Sequence, residues 1–191
     1  NAIDPNFVID DNGQPWLTYG SFWDGIQLLR LDTTLHAAAG ARPFTIARRY
    51  AKGTKSLPAN PTSEYAGPNA IEAPFIFKHQ GWYYLFVSHD YCCRGMKSNY
   101  RVVVGRSRKI TGPYFDREGK SMLDGGGTLV IEGDKKRYEA AGHCAVYHLP
   151  LPKKQKRGDL FICHGYSIKS EGMPKLVIRM VRWNHGWPEL M

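Results

Sequence analysis

The chain has 191 residues and, with Lys+Arg 26 against Asp+Glu 17, a formal net charge of +9. Hydrophobic residues make up 42% and charged residues 23%. This composition excludes a disordered chain, because a disordered chain has too little apolar surface to offset the entropy lost on ordering. No run of about 18 apolar residues occurs, so no transmembrane helix and no membrane partner are expected. The length suits one domain of roughly 100–200 residues, and 20 glycines, 12 prolines and 13% aromatics favour a turn-rich β protein.

Strands dominate the pattern, and they fall into three groups that each open with a hairpin. The predicted strands, in chain order, are 7–9, 15–19 and 25–31, then 75–77, 82–87 and 101–107, then 144–148, 159–163 and 175–183. The first two hairpins turn on Asp10-Asp11-Asn12-Gly13 and Lys78-His79-Gln80-Gly81. Between the first two groups lies a proline-containing stretch, 33–70, in which no helix is predicted.

The three groups form a repeat. Asp4 precedes Glu72, and Gly13 precedes Gly81, by the same number of residues, and a third copy begins at His143. The units begin near residues 3, 71 and 142, a period of about 70 residues that fits four-stranded β-propeller blades with insertions. The alternative is three unrelated hairpins in a β-sandwich.

The repeat length raises a question of size. At about 70 residues per unit, the chain holds roughly three blades, whereas propellers typically close with about four to eight. An open propeller would expose sheet edges, which natural proteins avoid. We therefore expect residues 1–191 to be a partial propeller domain whose remaining N-terminal part is missing or is supplied by a second chain.

A polar residue opens each unit: Asp4, Glu72 and His143. The innermost strand of each blade lines the central channel of a propeller, so these three side chains are predicted to converge at its mouth. Two carboxyl groups in one pocket are what glycoside hydrolysis requires, one to donate a proton and one to stay ionised. Negative charge nearby and partial burial raise the pKa of such a proton donor. A histidine beside two carboxylates suits a metal ion, bound directly or through water.

Aromatic side chains fall between the predicted strands and suit stacking on sugar rings, with packing in the core as the alternative for each one. They are Phe22, Trp23, Tyr91, Tyr100, Tyr166 and Trp187. His164 ends a predicted strand and is a weaker candidate for the same channel mouth.

Cysteines and basic clusters give little functional information. Cys92 and Cys93 are adjacent, too close for an ordinary bridge, so buried or free thiols are expected, with one disulfide between distant cysteines as the alternative. The basic clusters are Arg48-Arg49, Lys135-Lys136-Arg137 and Lys153-Lys154-Gln155-Lys156-Arg157. They are short and lack a nucleic-acid-binding motif, so solvated loops are predicted and no nucleic-acid partner is expected.

Several motifs together resemble the glycoside hydrolase family 43 arabinanases. They are Asn1-Ala2-Ile3-Asp4-Pro5, Gly20-Ser21-Phe22-Trp23-Asp24-Gly25-Ile26, Glu72-Ala73-Pro74-Phe75, Cys92-Cys93-Arg94-Gly95, Ser98-Asn99-Tyr100, Gly105-Arg106-Ser107, Gly142-His143, His164-Gly165-Tyr166 and Gly186-Trp187-Pro188. They cover nearly the whole chain in the order of the family. The resemblance implies a five-bladed β-propeller that cleaves α-1,5-linked arabinan or arabino-oligosaccharides with inversion, outside the cell or in the periplasm.

The resemblance also implies roles for single residues. Glu72 matches the general acid, and Asp4 matches the carboxylate that tunes the pKa of that acid and orients it. His143 matches a histidine near a calcium or similar ion in the central channel, often bound through water. Ser21, Phe22 and Trp23 match a segment that lines the substrate, and Tyr91 and Tyr100 are further substrate-binding candidates.

Two departures from the family pattern stand out. The Asp that serves as general base belongs to a first blade that precedes Asn1, and Asp24 stands where the family tends to have a small polar residue. Two alternatives remain: an arabinofuranosidase or β-xylosidase of the same family, and a sugar-binding propeller without catalysis. Endo and exo action are not distinguished.

Overall fold

The structure is a computed structural model that describes residues 1–149 and 158–191. Within these ranges it is an all-β fold of three four-stranded sheets, joined by turns and three short 3-10 helices at Gly95–Lys97, Met122–Asp124 and Ile168–Ser170. No helix in the described ranges is long and apolar enough to cross a membrane. The predicted all-β class is confirmed, with three four-stranded sheets. The three sequence units and the number of blades stay predictions.

The first sheet is antiparallel and follows chain order. Its strands are β1 (Asn6–Ile9), β2 (Pro15–Tyr19), β3 (Ile26–Arg30) and β4 (Phe44–Ala47). The Asp10 carboxylate accepts the backbone N–H groups of residues 12 and 14, and Gly13 has φ 78, so this turn has the chemistry that the sequence indicated.

The second sheet has the order β5 (Ile71–His79), β6 (Trp82–His89), β7 (Arg101–Ser107) and β8 (Thr128–Ile131). Along β6, residues 83–89 are all buried, so the strand is covered on both faces. This explains why its sequence is a continuous apolar run instead of an alternating pattern.

The third sheet is antiparallel, with β9 (Tyr138–Leu149), β10 (Gly158–Ser167), β11 (Met173–Asn184) and β12 (Trp187–Leu190). Tyr166 therefore lies inside β10 and Trp187 begins β12, so their placement between strands was wrong. The strands β4, β8 and β12 were not predicted. Each has four residues, too few for a periodic pattern to stand out.

The described chain divides into two compact units. The first consists of Asn1–Val87 and Val104–Thr128, and the second of Ser88–Val103 and Leu129–Met191. In the first unit, the Asp11 side chain in the β1–β2 turn pairs with Lys78 and accepts a hydrogen bond from the hydroxyl of Tyr83 at 3.0 Å. The Lys78 ammonium and then the Tyr83 hydroxyl hold the pKa of Asp11 below its ordinary value.

Candidate active site

Glu72 is the second residue of β5 and is only 9% exposed. The hydroxyl of Ser21, itself 3% exposed, donates a hydrogen bond to Oε2 of Glu72 at 2.7 Å. The two residues also form an isolated antiparallel bridge. A buried carboxyl group that is held in one orientation suits proton transfer to or from a bound molecule, because general acid catalysis depends on positioning.

Asp4 borders the same short segment as Glu72. The backbone N–H of Gly20 donates to the carbonyl of Ile3, the residue before Asp4, at 3.0 Å. The next residue, Ser21, donates the hydrogen bond to the Glu72 carboxyl group. On the other side of Asp4, the side chain of Asn6 accepts the backbone N–H of Ile76 at 2.9 Å. These contacts place the strand that begins after Asp4 and the strand that carries Glu72 side by side in the first unit.

Left-handed backbone occurs at or next to each of the three residues that the sequence repeat relates. It occurs at Asp4 with φ 56, at Ala73, directly after Glu72, with φ 51, and at His143 with φ 52. Non-glycine residues rarely adopt this conformation, and it is concentrated at functional sites. Positive φ thus occurs at two of the three repeat residues, and one residue after the third.

Phe22 and Trp23 continue the segment after Ser21, with φ 59 and φ 40. The N–H of Phe22 donates to the carbonyl of Ile71 at 2.8 Å, and the carbonyl of Trp23 accepts from the side chain of Asn69 at 2.9 Å. Trp23 is 52% exposed, so its ring presents an open face beside the segment that holds Glu72.

Asp24, the departure from the family pattern, is engaged by two neighbours. Its carboxylate accepts a hydrogen bond from the Thr45 hydroxyl at 2.6 Å and forms an ion pair with Arg48 at 2.6 Å. These contacts, the Thr45 hydroxyl first, hold the pKa of Asp24 below its ordinary value. Asp24 therefore stays ionised and is tied to β4 and to the residue that follows it.

His143 lies in the second unit at an irregularity of the β9–β10 pairing. The register runs from Ile162–Ala145 to His164–Gly142, so β9 carries one extra residue there. The backbone N–H of His143 donates to the hydroxyl of Ser88 at 2.9 Å, and its side chain is exposed. Such a bulge redirects a side chain away from the regular alternation of a strand.

The surroundings of His143 bear on the predicted calcium ion. The ring of His164 lies beside it, with centroids 6.1 Å apart. In residues 1–149 and 158–191, no group of three or more His, Cys, Asp and Glu side chains is arranged to hold a metal ion. Calcium takes six to eight oxygen ligands, so these residues do not fit a directly coordinated calcium ion, and a water-mediated one stays a prediction.

The remaining aromatic candidates differ in exposure. Tyr91 is half-buried, with Arg94 6.0 Å above its ring. Tyr100 is 1% exposed and stacks on His164, with centroids 5.9 Å apart; together with Ala140 and Tyr166 it forms a buried cluster. This burial favours the packing alternative for Tyr100.

The cysteines correct one expectation. Cys92 and Cys93 form a disulfide with each other, with Cα atoms 3.8 Å apart and Cys93 at φ 63. The expectation that adjacent cysteines would not bridge was therefore wrong, because it assumed the wider Cα separation of ordinary disulfides. Cys144 and Cys163 are free and buried, as expected for thiols that pack like small apolar groups.

The basic clusters that the structure describes make local contacts. Arg48 pairs with Asp24, Arg49 lies 4.9 Å from the ring of Tyr50, and Lys135 pairs with Glu139. The third cluster, 153–157, lies outside the described residues. Local contacts of this kind favour the solvated-loop interpretation, and the absence of a nucleic-acid partner stays a prediction.

Sequence reasoning missed two positioning contacts. The side-chain amide of Asn69 donates a hydrogen bond to the carbonyl of Trp23, as described above. It also accepts a hydrogen bond from the backbone N–H of Arg49 at 2.8 Å. The hydroxyl of Ser88, near the end of β6, accepts a hydrogen bond from the backbone N–H of His143. Neither residue lies in a recognisable motif, so no signal in a single sequence would have identified them.

Repeated four-stranded sheets are typical of the β-propeller class, and a buried carboxyl group is fixed on the first strand of one of these sheets. The sequence profile of the glycosyl hydrolases family 43 matches residues 1–188. The chain belongs to this family.

Comparisons with individual proteins agree with the family. The chain is 39% identical over 188 residues to the extracellular endo-α-(1→5)-L-arabinanase 1 of Bacillus subtilis strain 168, covering 98% of this chain and 50% of that protein. It is 38% identical over 191 residues to the extracellular exo-α-(1→5)-L-arabinofuranosidase of Cellvibrio japonicus strain Ueda107, covering 100% of this chain and 52% of that protein.

Solved structures show the same likeness. The crystal structure of an exo-1,5-α-L-arabinanase from a bovine ruminal metagenomic library has a TM-score of 0.85 and 47% identity, covering 100% of this chain and 57% of that one. The Cellvibrio cellulosa α-L-arabinanase complexed with arabinohexaose has a TM-score of 0.81 and 36% identity at the same coverage. The chain thus spans about half the length of the curated relatives it matches.

Proposed function

We propose that this chain is part of an enzyme that hydrolyses α-1,5-linked arabinan with inversion, and that Glu72 is its general acid. The observation that carries the proposal is the hydrogen bond that fixes the buried Glu72 carboxyl group through Ser21. The substrate is supported by the names of the relatives, which are arabinanases and an arabinofuranosidase, and by the arabinohexaose complex.

The mechanism assigns a role to each group. Glu72 protonates the oxygen of the glycosidic bond as the bond breaks, while a general base activates water on the opposite face of the sugar. Asp4 assists by orienting the acid, since both border the segment of Gly20 and Ser21. The exposed ring of Trp23, next to that segment, offers a stacking face for a sugar. In this scheme any calcium ion at His143 is held through water.

The general base is assigned to protein outside these 191 residues, in a segment of the same polypeptide or in a second chain. Two exposed apolar faces are evidence that further sheets pack on this chain and complete a five-bladed propeller. On β1, Phe7 and Ile9 are 46% and 55% exposed and share one face; on β11, Leu176 and Ile178 are 68% and 49% exposed. Sheets pack such faces against one another, and the solved relatives are longer than this chain. In this proposal residues 1–191 form a partial propeller domain whose units begin near residues 3, 71 and 142.

The two curated relatives named above, from Bacillus subtilis and Cellvibrio japonicus, are described as extracellular. We therefore place the complete enzyme in the extracellular space or the periplasm.

The test uses the complete polypeptide that carries the chain. It is incubated with linear α-1,5-arabinan, and proton NMR follows the anomeric signal of the first products. Inversion predicts that the β-anomer appears first and then equilibrates. Hydrolysis of nitrophenyl arabinofuranoside or xyloside without action on arabinan would favour the arabinofuranosidase or β-xylosidase alternative. Binding of arabino-oligosaccharides without any product would favour the sugar-binding propeller. Product lengths distinguish endo from exo action.

A further inference from the structure

We propose that the Cys92–Cys93 disulfide is a positioning element for His143. It holds Tyr166, which packs against the ring of His164, and the His164 ring in turn lies beside that of His143, so that reduction by a dithiol loosens this side of the site and weakens sugar binding. The inference rests on the proposed function, because the place of His143 in the site belongs to that function.

The first step runs from the disulfide to Tyr166. The backbone N–H of Cys93 donates to the hydroxyl oxygen of Tyr166 at 2.8 Å, and that hydroxyl lies 3.8 Å from the Cys93 sulfur. Cys92 packs against the buried cluster that contains Tyr166. Tyr166 is 3% exposed. A buried hydroxyl that accepts this N–H loses its partner if the turn rearranges, and such a loss is costly.

The second step runs from Tyr166 to His143. The Tyr166 ring meets His164 edge to face, with centroids 5.3 Å apart and planes at 87°. His164 is stacked on the other side by Tyr100 and lies 6.1 Å from His143. Tyr166 is buried against His164, and buried side chains are closely packed, so a change in the position of Tyr166 moves His164. The exposed His143 ring then changes its surroundings through its contact with His164.

A tight glycine contact adds to the coupling. An added methyl on Gly142, the residue before His143, would overlap the Tyr100 ring. The backbone that leads into His143 is thus packed directly on the same cluster that Cys92 touches. The disulfide and His143 therefore share one packed set of side chains within the second unit.

The disulfide is accessible to a reagent, because Cys93 is exposed. The thiolate of a dithiol such as dithiothreitol attacks one of the two sulfurs and forms a mixed disulfide, and its second thiol closes the cyclic oxidised product. Two electrons and two protons pass to Cys92 and Cys93, which become thiols. The segment from Tyr91 to Asn99 then loses the covalent link but keeps two hydrogen bonds. The N–H of Tyr91 donates to the side chain of Asn99 at 2.9 Å, and the N–H of Asn99 donates to the carbonyl of Tyr91 at 3.1 Å.

The test measures thiols, histidine rings and affinity on the complete protein. We expect native dithiol treatment to add two titratable thiols and to shift the ring NMR signals of His164 and His143. We also expect it to weaken arabino-oligosaccharide binding by about 3- to 30-fold. The double variant Cys92→Ser/Cys93→Ser should show the same ring shifts and no response to the dithiol.

Two further variants separate positioning from general damage to the loop. Tyr166→Phe keeps the disulfide and the ring packing but removes the hydroxyl, so it should shift the His164 signal without any added thiol. Lys97→Ala, in the same loop and exposed, should leave ring signals and affinity unchanged.

Unchanged ring signals and unchanged affinity after two thiols have appeared would overturn the proposal, and so would a native protein in which Cys92 and Cys93 already titrate as thiols. The thiol count and the ring signals do not depend on hydrolysis. A protein that shows the ring shifts but neither binds nor cleaves arabinan would therefore reject the proposed function and not the coupling.

Discussion

The hydroxyl of Ser21, in the connection between β2 and β3, and the carboxyl group of Glu72, on β5, form a buried hydrogen bond of 2.7 Å. The segment that carries Ser21 is itself fixed by backbone hydrogen bonds on either side of it. The N–H of Gly20 donates to the carbonyl of Ile3, and the N–H of Phe22 donates to the carbonyl of Ile71. The proposed acid is therefore oriented by a segment that also borders Asp4.

Replacing Ser21 by alanine should lower kcat on linear arabinan by about tenfold. A hydrogen bond to a charged or ionisable group is worth about 1.5–3 kcal/mol, and its loss frees Glu72 to adopt unproductive orientations. Steady-state kinetics of the complete enzyme would measure this, with KM nearly unchanged. Ser170→Ala, in the 3-10 helix Ile168–Ser170, is the matched control and should leave kcat unchanged. A Ser21→Ala enzyme with full kcat would show that the hydrogen bond has no part in turnover.

Replacing Gly142 by alanine should lower the free energy of unfolding by about 1–3 kcal/mol, the usual cost of overpacking. The new methyl group would overlap the ring of Tyr100, which is 1% exposed and has nowhere to move. Urea denaturation would measure the loss. In a double-mutant cycle with Tyr100→Leu, the methyl group should cost clearly less; an equal cost in both backgrounds would mean that the ring is not the obstacle.

The stability of the fold should fall as the solution becomes alkaline. Burial raises the pKa of the Cys163 thiol to about 12, from an ordinary value of 9.0. The unfolded chain therefore loses this proton at a lower pH than the folded chain does. The contribution is fully present below about pH 9 and is lost as the pH rises toward about 12. Urea unfolding at a series of pH values should show this decline, and Cys163→Ala should reduce its slope; an equal slope in both proteins would contradict the assignment.

Much of the fold could be predicted because the signals are local. The Asp10 turn and the apolar run of β6 each specify their own element. The short strands β4, β8 and β12 could not be predicted, because four residues at the end of a sheet are held by pairing with a neighbour and not by their own pattern.

The candidate site divides in the same way. Asp4, Glu72 and His143 were predicted because they recur at one position of a repeat, and their roles stay predictions. The bond between Ser21 and Glu72 joins residues far apart in the sequence and depends on tertiary contacts, which no local pattern contains. The Cys92–Cys93 disulfide was excluded by a distance rule that suits ordinary bridges only.

The most direct measurement of the central claim is the activity of Glu72→Gln in the complete enzyme. If Glu72 is the general acid, kcat/KM on linear arabinan should fall by about 10²–10⁴-fold. The fall should be much smaller on nitrophenyl arabinofuranoside, whose leaving group needs no proton. Glu118→Gln, an exposed glutamate in the same unit, should behave as the unaltered enzyme. Hydrolysis of arabinan by Glu72→Gln at a rate near that of the unaltered enzyme would contradict the assignment.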